Sequence, residues 1–384
     1  IDGHKEGSWV FHNRNCFDAL QNRLCPSYEL PHPQKTGRGL KTGDTLPYLD
    51  VSHSLTEKYW IGPDHAVELL AQALMQNSDL PLAMCSVLAR LGIGADEVEA
   101  YLDPLIKNLL PNPRGLLDMH RAAERILRAV SDKNRIAIFA DYDVDGASSA
   151  ALLLTWLKAM GRTATLYVPD RINEGYGPNE TAMGQLAETH DLIICVDCGT
   201  LSHGPIAAAK PADVIVLDHH LAAETIPDCV AVVNPNRQDE TGALSHLCAA
   251  AVVFLCLVEC GRLLREQGTE APNLIGSLDL VALATVADVA PLVGVNRAFV
   301  HQGLKVMAQR ARPGLVALSD IAKMQSAPKP YHLGFLLGPR INAGGRVGQA
   351  DLGARLLSTE DPQEAKALAM RLDILNAERR QIEE

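Results

Sequence analysis

Apolar residues recur at intervals of three and four through residues 63–110. Ala66, Val67, Leu69, Leu70 and Ala73 share one face, and a second such segment covers residues 81–91. That period marks amphipathic helices, and Gly92 and Gly94 interrupt it. A further helix is expected over 117–130, with Ala122, Ile126, Leu127 and Val130 on one side. Residues 1–52 are rich in His, Pro, Gly and Asn and show little periodicity, as in an extension or poorly ordered arm. Residues 53–130 then form a small helical domain with no evident chemistry.

Beyond residue 130 the pattern changes to alternating strand and helix. Short, nearly continuous apolar runs predict strands at 135–140 (RIAIFA), 163–168, 192–196 (LIICV), 214–217 (VIVL) and 230–233 (VAVV). Helices are expected between them at 148–160, 181–188 and 205–209. Apolar strands separated by helices imply a parallel sheet covered on both faces. Such sheets place their sites beyond the C-terminal ends of the strands. At the far end, Asp361 and Pro362 open a helix as cap and first turn, with Glu364 three residues after the cap. Leu368, Leu372 and Leu375 give that helix an apolar stripe, and no Gly or Pro closes it before Glu384. The fold class is therefore α/β. A parallel-sheet domain flanked by helices (131–360) follows the helical domain and leads into a long helix (361–384).

Three of the expected strands run directly into metal-type ligands. RIAIFA ends at Asp141, Asp143 and Asp145; LIICV ends at Asp197; VIVL ends at Asp218, His219 and His220. A single Asp after a strand is commonly the cap of the next helix, and Asp145 before Gly146 allows that reading. Three strand ends at one rim are another matter. They would gather at least four carboxylates and two imidazoles, an arrangement that is unfavourable unless a cation neutralises it. Carboxylates with a minority of imidazole favour Mn²⁺ or Mg²⁺. Their number suggests two ions, the usual arrangement for attack on phosphorus.

Charge changes the picture only slightly. The net charge of −11 argues against a polyanion partner, yet the region from Arg297 onward carries a local excess of four positive charges. Nine cysteines form no framework; Cys195 and Cys198 make a CxxC with no second pair to complete a zinc site, so reduced, partly buried thiols are expected. There is no apolar run long enough to cross a bilayer, and no signal-peptide pattern. The reading is a cytoplasmic protein.

The runs FADYDVDGASS, VDCG, LDHH and LVALATVADVAPL resemble, in order, the four motifs of the DHH phosphoesterases. RINEGYGPN and LGPRINAGGR extend the resemblance to the RecJ-type exonucleases specific for single-stranded DNA, over about two-thirds of the chain. The resemblance implies that Asp143 and Asp145 are metal ligands, with Asp141 a third carboxylate or its outer support. Asp197 would bridge both ions, His219 would be a ligand, and His220 would face the scissile phosphate. Asp218 would orient the histidines. Asp288 would be the last ligand, on the resemblance alone. Arg340, Asn342 and Arg346 surround a Gly pair that could be either a phosphate-binding backbone nest or an ordinary turn; Arg171 and Tyr176 are further candidates for nucleotide contact. Two positions depart from the family pattern: Ala140 stands where Gly is usual, and NAGGR replaces NAAGR.

The implied activity is two-metal hydrolysis of single-stranded DNA, 5′→3′ with release of mononucleotides, in bacterial DNA repair and recombination. A helicase or single-strand-binding protein is a further candidate partner. Two alternatives stand beside it: a DHH hydrolase of short oligoribonucleotides or cyclic dinucleotides, and a non-catalytic replication scaffold of the same fold. RecJ-like proteins continue through a long connecting helix into a second domain whose Gly- and His-containing motif grips DNA. That motif is not found here, and the chain opens at Ile1, so it is expected to be the catalytic part of a longer protein.

Overall fold

The computed structural model describes residues 47–171, 174–347 and 349–383; the expectation for the first 46 residues lies outside them. The chain divides into two compact units between Asp103 and Pro104. In the first, helices α1 (His65–Gln76), α2 (Leu82–Arg90) and α3 (Val98–Leu102) enclose a small core of Ala71, Leu74, Cys85, Leu88, Ala89 and Val98. Asp64 caps α1 by accepting the Ala66 amide at 3.2 Å.

The second unit holds α4 (Ile106–Leu109), α5 (Met119–Ser131) and everything after. The periodic pattern groups 117–130 with the helical domain, but α5 belongs to the sheet. Its Ala122, Ala123, Ile126 and Ala129 are fully buried in the same core as the strands. An apolar stripe says that a helix is covered, not by which partner.

The sheet is all parallel, in the order β2 (Ala164–Tyr167), β1 (Ile136–Ala140), β3 (Leu192–Val196), β4 (Asp213–Leu217), β5 (Ala231–Val233). Alternate residues serve opposite faces. Ile136, Ile138, Ile194 and Leu217 face one core with α5, α6 (Val144–Ala159) and α9 (Ala249–Glu266). Ala137, Phe139, Ile193 and Val216 face the other, with α7 (Glu180–Thr189) and α8 (His203–Ala208). Both faces are dry, which is why these strands read as unbroken apolar runs.

The register fixes the rim. Ala140 pairs with Val196, and Val196 with Leu217, so β1, β3 and β4 end in one row. The next residues continue the ladder: the amide of Asp141 donates to Val196 O, that of Asp197 to Leu217 O, and that of Asp218 to Val233 O.

Helix α6 starts at Val144, four residues before the expected 148. Asp143, not Asp145, is its cap: Asp143 Oδ1 accepts the amides of Asp145 (2.8 Å) and Gly146 (3.0 Å). Beyond α9 come α10 (Leu278–Ala287), α11 (Gly294–Ala308), α12 (Pro313–Ile321) and α13 (Pro330–His332). A π-turn (Leu333–Leu337) then leads into α14 (Gly338–Val347), followed by α15 (Leu352–Ser358) and α16 (Pro362–Glu383). Asp361 caps α16 through the Gln363 amide (2.9 Å). Glu364 does not close a capping box; it accepts from Thr359 Oγ1 and Arg355 instead. Leu368, Leu372 and Leu375 are buried.

Candidate metal centre

Motif one, the β3 turn, the β4 turn and the end of α10 meet beyond the rim. Three groups of ligand atoms form there, each with all its atoms within 4.8 Å of one another: Asp141, Asp143 and Asp197; Asp145, His219 and Asp288; Asp197, His219 and His220. His219 Nε2 lies 3.3 Å from Asp197 Oδ1 and 3.7 Å from Asp145 Oδ2, and its Nδ1 lies 3.9 Å from Asp288 Oδ2. The ligands expected from the sequence are thus brought together. Asp288 caps the C-terminus of α10 rather than sitting within it, and Val289 turns the chain away at φ 59°. The early Pro291 was the available sign of that stop.

Local structure aims each group. Asp197 adopts φ 60°, which turns its side chain off the ladder. Asp145 is buried on the first turn of α6, and its two oxygens accept the Ala249 and Ala250 amides (2.6 and 2.8 Å) at the start of the 18-residue α9. A helix N-terminus is a natural neighbour for a carboxylate.

Four of these carboxylates, Asp141, Asp145, Asp197 and Asp218, are at most 4% exposed. Burial, then the Asp143 charge, pushes Asp141 up to about 7. Burial also holds Asp145 and Asp197 well above the ordinary carboxylate range, aided by Asp288 on the first and by Asp145 on the second. Asp218 goes the other way. Burial opposes its charge, but the His220 hydrogen bond and the Thr200 donors outweigh burial and hold it below the usual range. Its Oδ1 accepts His220 Nδ1 at 2.8 Å, and its Oδ2 accepts the Thr200 amide and hydroxyl. The hydrogen bond to Asp218 raises His220 against burial. Burial, with the neighbouring His220, lowers His219 against the opposing pull of Asp218, Asp143 and a hydrogen bond to the Leu247 main chain. Asp141 Oδ1 and Asp197 Oδ1 are buried without a hydrogen-bond partner, an uncompensated state that a cation would relieve.

The residues expected to touch substrate divide. Tyr176 stands over the site, its OH 3.3 Å from Asp197 O and 3.1 Å from His220 Nε2. Arg171 lies over the Tyr142 ring, 5.2 Å from the centroid. Arg346 is exposed, and its charge acts on the same phenol. Arg340 does not fit the expectation: its Nε is paired with Asp373 (2.8 Å) and its Nη1 donates to Leu336 O (2.7 Å), tying α14 to α16. Asn342 spends its Oδ1 on the Val144 amide (3.0 Å), holding the start of α6. The Gly pair forms neither a nest nor a turn, because Gly344 and Gly345 lie inside α14. They are there for close approach. A Cβ on Gly345 would fall 2.6–2.8 Å from Tyr142 Cδ2, Cβ and Cγ, and one on Gly344 would meet Leu372 Cδ2 at 2.9 Å. The described cysteines are free, and Cys195 and Cys198 are buried thiols, as expected. Thr200 carries no local mark in the sequence, as it simply follows the VDCG run.

The model of the DHH family, N-terminal domain, matches residues 135–285. A crystal structure of exonuclease RecJ bound to manganese superposes with a TM-score of 0.63 at 34% identity, over 70% of this chain and 68% of that one. The chain belongs to the RecJ family. RecJ of Thermus thermophilus in complex with Mn²⁺ gives a TM-score of 0.69 at 30% identity, over 84% of this chain and 45% of that one. The single-stranded-DNA-specific exonuclease RecJ of Dickeya dadantii is 40% identical over 289 residues, 70% of this chain and 50% of that protein. The chain spans about half the length of the curated RecJ relatives it matches. Among the described residues, no helix is long and apolar enough to cross a membrane.

Proposed function

We propose that this chain is a divalent-cation-dependent phosphodiesterase of the bacterial cytoplasm that degrades single-stranded DNA from the 5′ end to mononucleotides, serving repair and recombination. The observation that carries the proposal is the pair of ligand groups, Asp141/Asp143/Asp197 and Asp145/His219/Asp288, with Asp197 beside both. Their oxygen-rich chemistry suits two Mn²⁺ or Mg²⁺ ions, and RecJ structures hold both metals. Such ions supply an activated water and neutralise charge on the phosphoryl oxygens.

The chain's own groups do the rest. Asp218 keeps a proton on His220 Nδ1, so the opposite nitrogen points toward the open side of the site, where Tyr176 now meets it. His220, raised toward its cationic form, can donate from Nε2 to a phosphate oxygen. Tyr176 is held protonated by burial and by the Asp197 charge, and remains a donor. Arg171 and Arg346 add positive charge on the Tyr142 side, where the strand backbone can pass. Arg340 and Asn342 support the site from behind. A helicase or single-strand-binding protein is the partner class that would supply such a substrate.

The deciding assay follows 5′-labelled single-stranded DNA and a dinucleotide, each with Mn²⁺ and with EDTA. Mn²⁺-dependent loss of the label from the long strand is expected; cleavage of the dinucleotide alone would move the assignment to a short-oligonucleotide hydrolase. Within that assay, His219→Ala weakens Mn²⁺ binding, whereas His220→Ala lowers turnover by about a hundredfold with Mn²⁺ affinity nearly unchanged. Equal loss of metal in both variants contradicts the separate roles.

Metal binding depends on pH. Asp141, Asp145 and Asp197 all hold protons more tightly in the metal-free fold than in the unfolded chain. Metal-free stability from these groups is therefore greatest below about pH 4 and falls as pH rises toward 7. A cation must displace the same protons. Mn²⁺ affinity is expected to strengthen about tenfold per pH unit for each proton displaced between pH 6 and 7. Calorimetry in two buffers of different ionisation enthalpy counts the protons, and an affinity flat across that range contradicts the assignment.

A further inference from the structure

The fifth strand ends unlike its neighbours. β1, β3 and β4 open onto aspartates, but β5 opens onto Asn234-Pro235-Asn236. Asn234 is fully buried, and a buried amide is costly unless its hydrogen bonds are made. Here they are made. Asn234 Nδ2 donates to the main-chain oxygen of His220 (2.8 Å) and to Thr200 Oγ1 (2.9 Å), and its Oδ1 accepts the Asn236 amide (2.8 Å). Asn236 Nδ2 donates to the main-chain oxygen of His219 (2.5 Å), while its own carbonyl accepts the Ala222 amide just past the histidines.

Each carbonyl of the histidine pair is thus gripped by a different side chain from one strand end. The second path runs further. Thr200 Oγ1 accepts from Asn234 and donates to Asp218 Oδ2 (2.6 Å), and Asp218 Oδ1 takes His220 Nδ1 (2.8 Å). Thr200, Asp218 and Asn234 are all at most 1% exposed, so no water competes for these bonds. An apolar residue would fill the strand end at lower cost. Two amides whose donors go to adjacent carbonyls serve geometry instead.

We propose that Asn234 and Asn236 are positioning residues that sort the two histidines. Asn236 sets the main chain of His219 and with it the cation side of the site. Asn234, through Thr200 and Asp218, sets the ring of His220 on the substrate side. The inference rests on the phosphodiesterase reading, but its test does not depend on activity alone.

The test uses the 384-residue chain, with Mn²⁺ affinity measured by electron paramagnetic resonance, turnover on bis(p-nitrophenyl) phosphate, and the downfield proton resonance of the His220 Nδ1–H bond. Outer supports of ligands typically change affinity or activity by about 10–100-fold. Asn236→Ala is expected to weaken Mn²⁺ binding at least about tenfold. Thr200→Val keeps the shape but loses the hydroxyl. It is expected to lower kcat by about thirtyfold with KM and Mn²⁺ affinity little changed, and to broaden or shift the His220 proton. Thr200→Ser restores the hydroxyl and should recover both readouts. If Asn236→Ala leaves Mn²⁺ affinity unchanged, or Thr200→Ser behaves like Thr200→Val, the sorting role is wrong and the residues merely pack. Should Asn236→Ala melt prematurely, the Thr200 pair still decides. An unaltered chain that binds Mn²⁺ but turns nothing over counts against the phosphodiesterase reading, while metal affinity and the proton resonance still judge the sorting role.

Discussion

Asp197→Asn is expected to reduce turnover by at least about a thousandfold, roughly 4 kcal/mol of barrier, while making the metal-free protein more stable. The two effects share one origin. Asp197 Oδ1 is buried without a hydrogen-bond partner, and the residue stands beside Asp141, Asp143, Asp145 and Asp218. Without a cation its charge is a burden on the fold; in the proposed role it belongs to the Asp141/Asp143 group and lies 3.3 Å from His219 of the other. Asn suits the residue's φ of 60° as well as Asp does, so the backbone has no reason to change. In EDTA at pH 8, Tm should rise, and the gain should shrink as pH falls through about 4 toward about 3, below which the native carboxyl is neutral in folded and unfolded chains alike. The Tm increase that Mn²⁺ gives the unaltered chain should largely disappear. Residual turnover within about tenfold of the unaltered chain, only about 1.4 kcal/mol, contradicts the shared-ligand role.

Gly345→Ala should cost about a hundredfold in turnover and about 1–3 kcal/mol of stability, whereas Gly344→Ala one residue earlier should be nearly silent. At Gly345 the added methyl meets Tyr142 as far back as its Cβ, 2.7 Å away, an atom that no rotamer change can move. Relief must come from the main chain between Asp141 and Asp143, which carries the site. At Gly344 the methyl meets only the tip of Leu372, which can turn aside, and Ala in a helix interior gains up to about 1 kcal/mol over Gly. Position 344 is also where this chain departs from the family's NAAGR. Thermal melts and turnover of the two variants side by side make the check; equal behaviour would mean that the contact with Tyr142 does not hold motif one in place.

Much of the site was legible because of where its residues fall. Three apolar runs end at Ala140, Val196 and Leu217, and the aspartates and histidines that follow need only a parallel sheet to meet. These three strands were easy to find because both of their faces are buried. Asp288 was not legible locally; it follows a helix, and only resemblance marked it. The glycines of α14 misled because local propensity disfavours them in helices by about 1 kcal/mol each, and their reason, the Tyr142 ring, lies far away in sequence. Arg340 misled likewise. Its spacing suits a phosphate, but Asp373, well inside α16, holds it. Asn234-Pro235-Asn236 reads as a plain turn until its partners are seen.

The common row in which β1, β3 and β4 end also acts as a ruler. Neighbouring strands are spaced about 4.8 Å apart by the length of the peptide hydrogen bond, and that spacing does not depend on which side chains fill the core. Asp141, Asp197 and Asp218 leave the sheet from successive marks on this ruler. Their separation is therefore a property of the polypeptide itself, and core residues on either face can be exchanged wholesale without changing the gauge at which charge is presented.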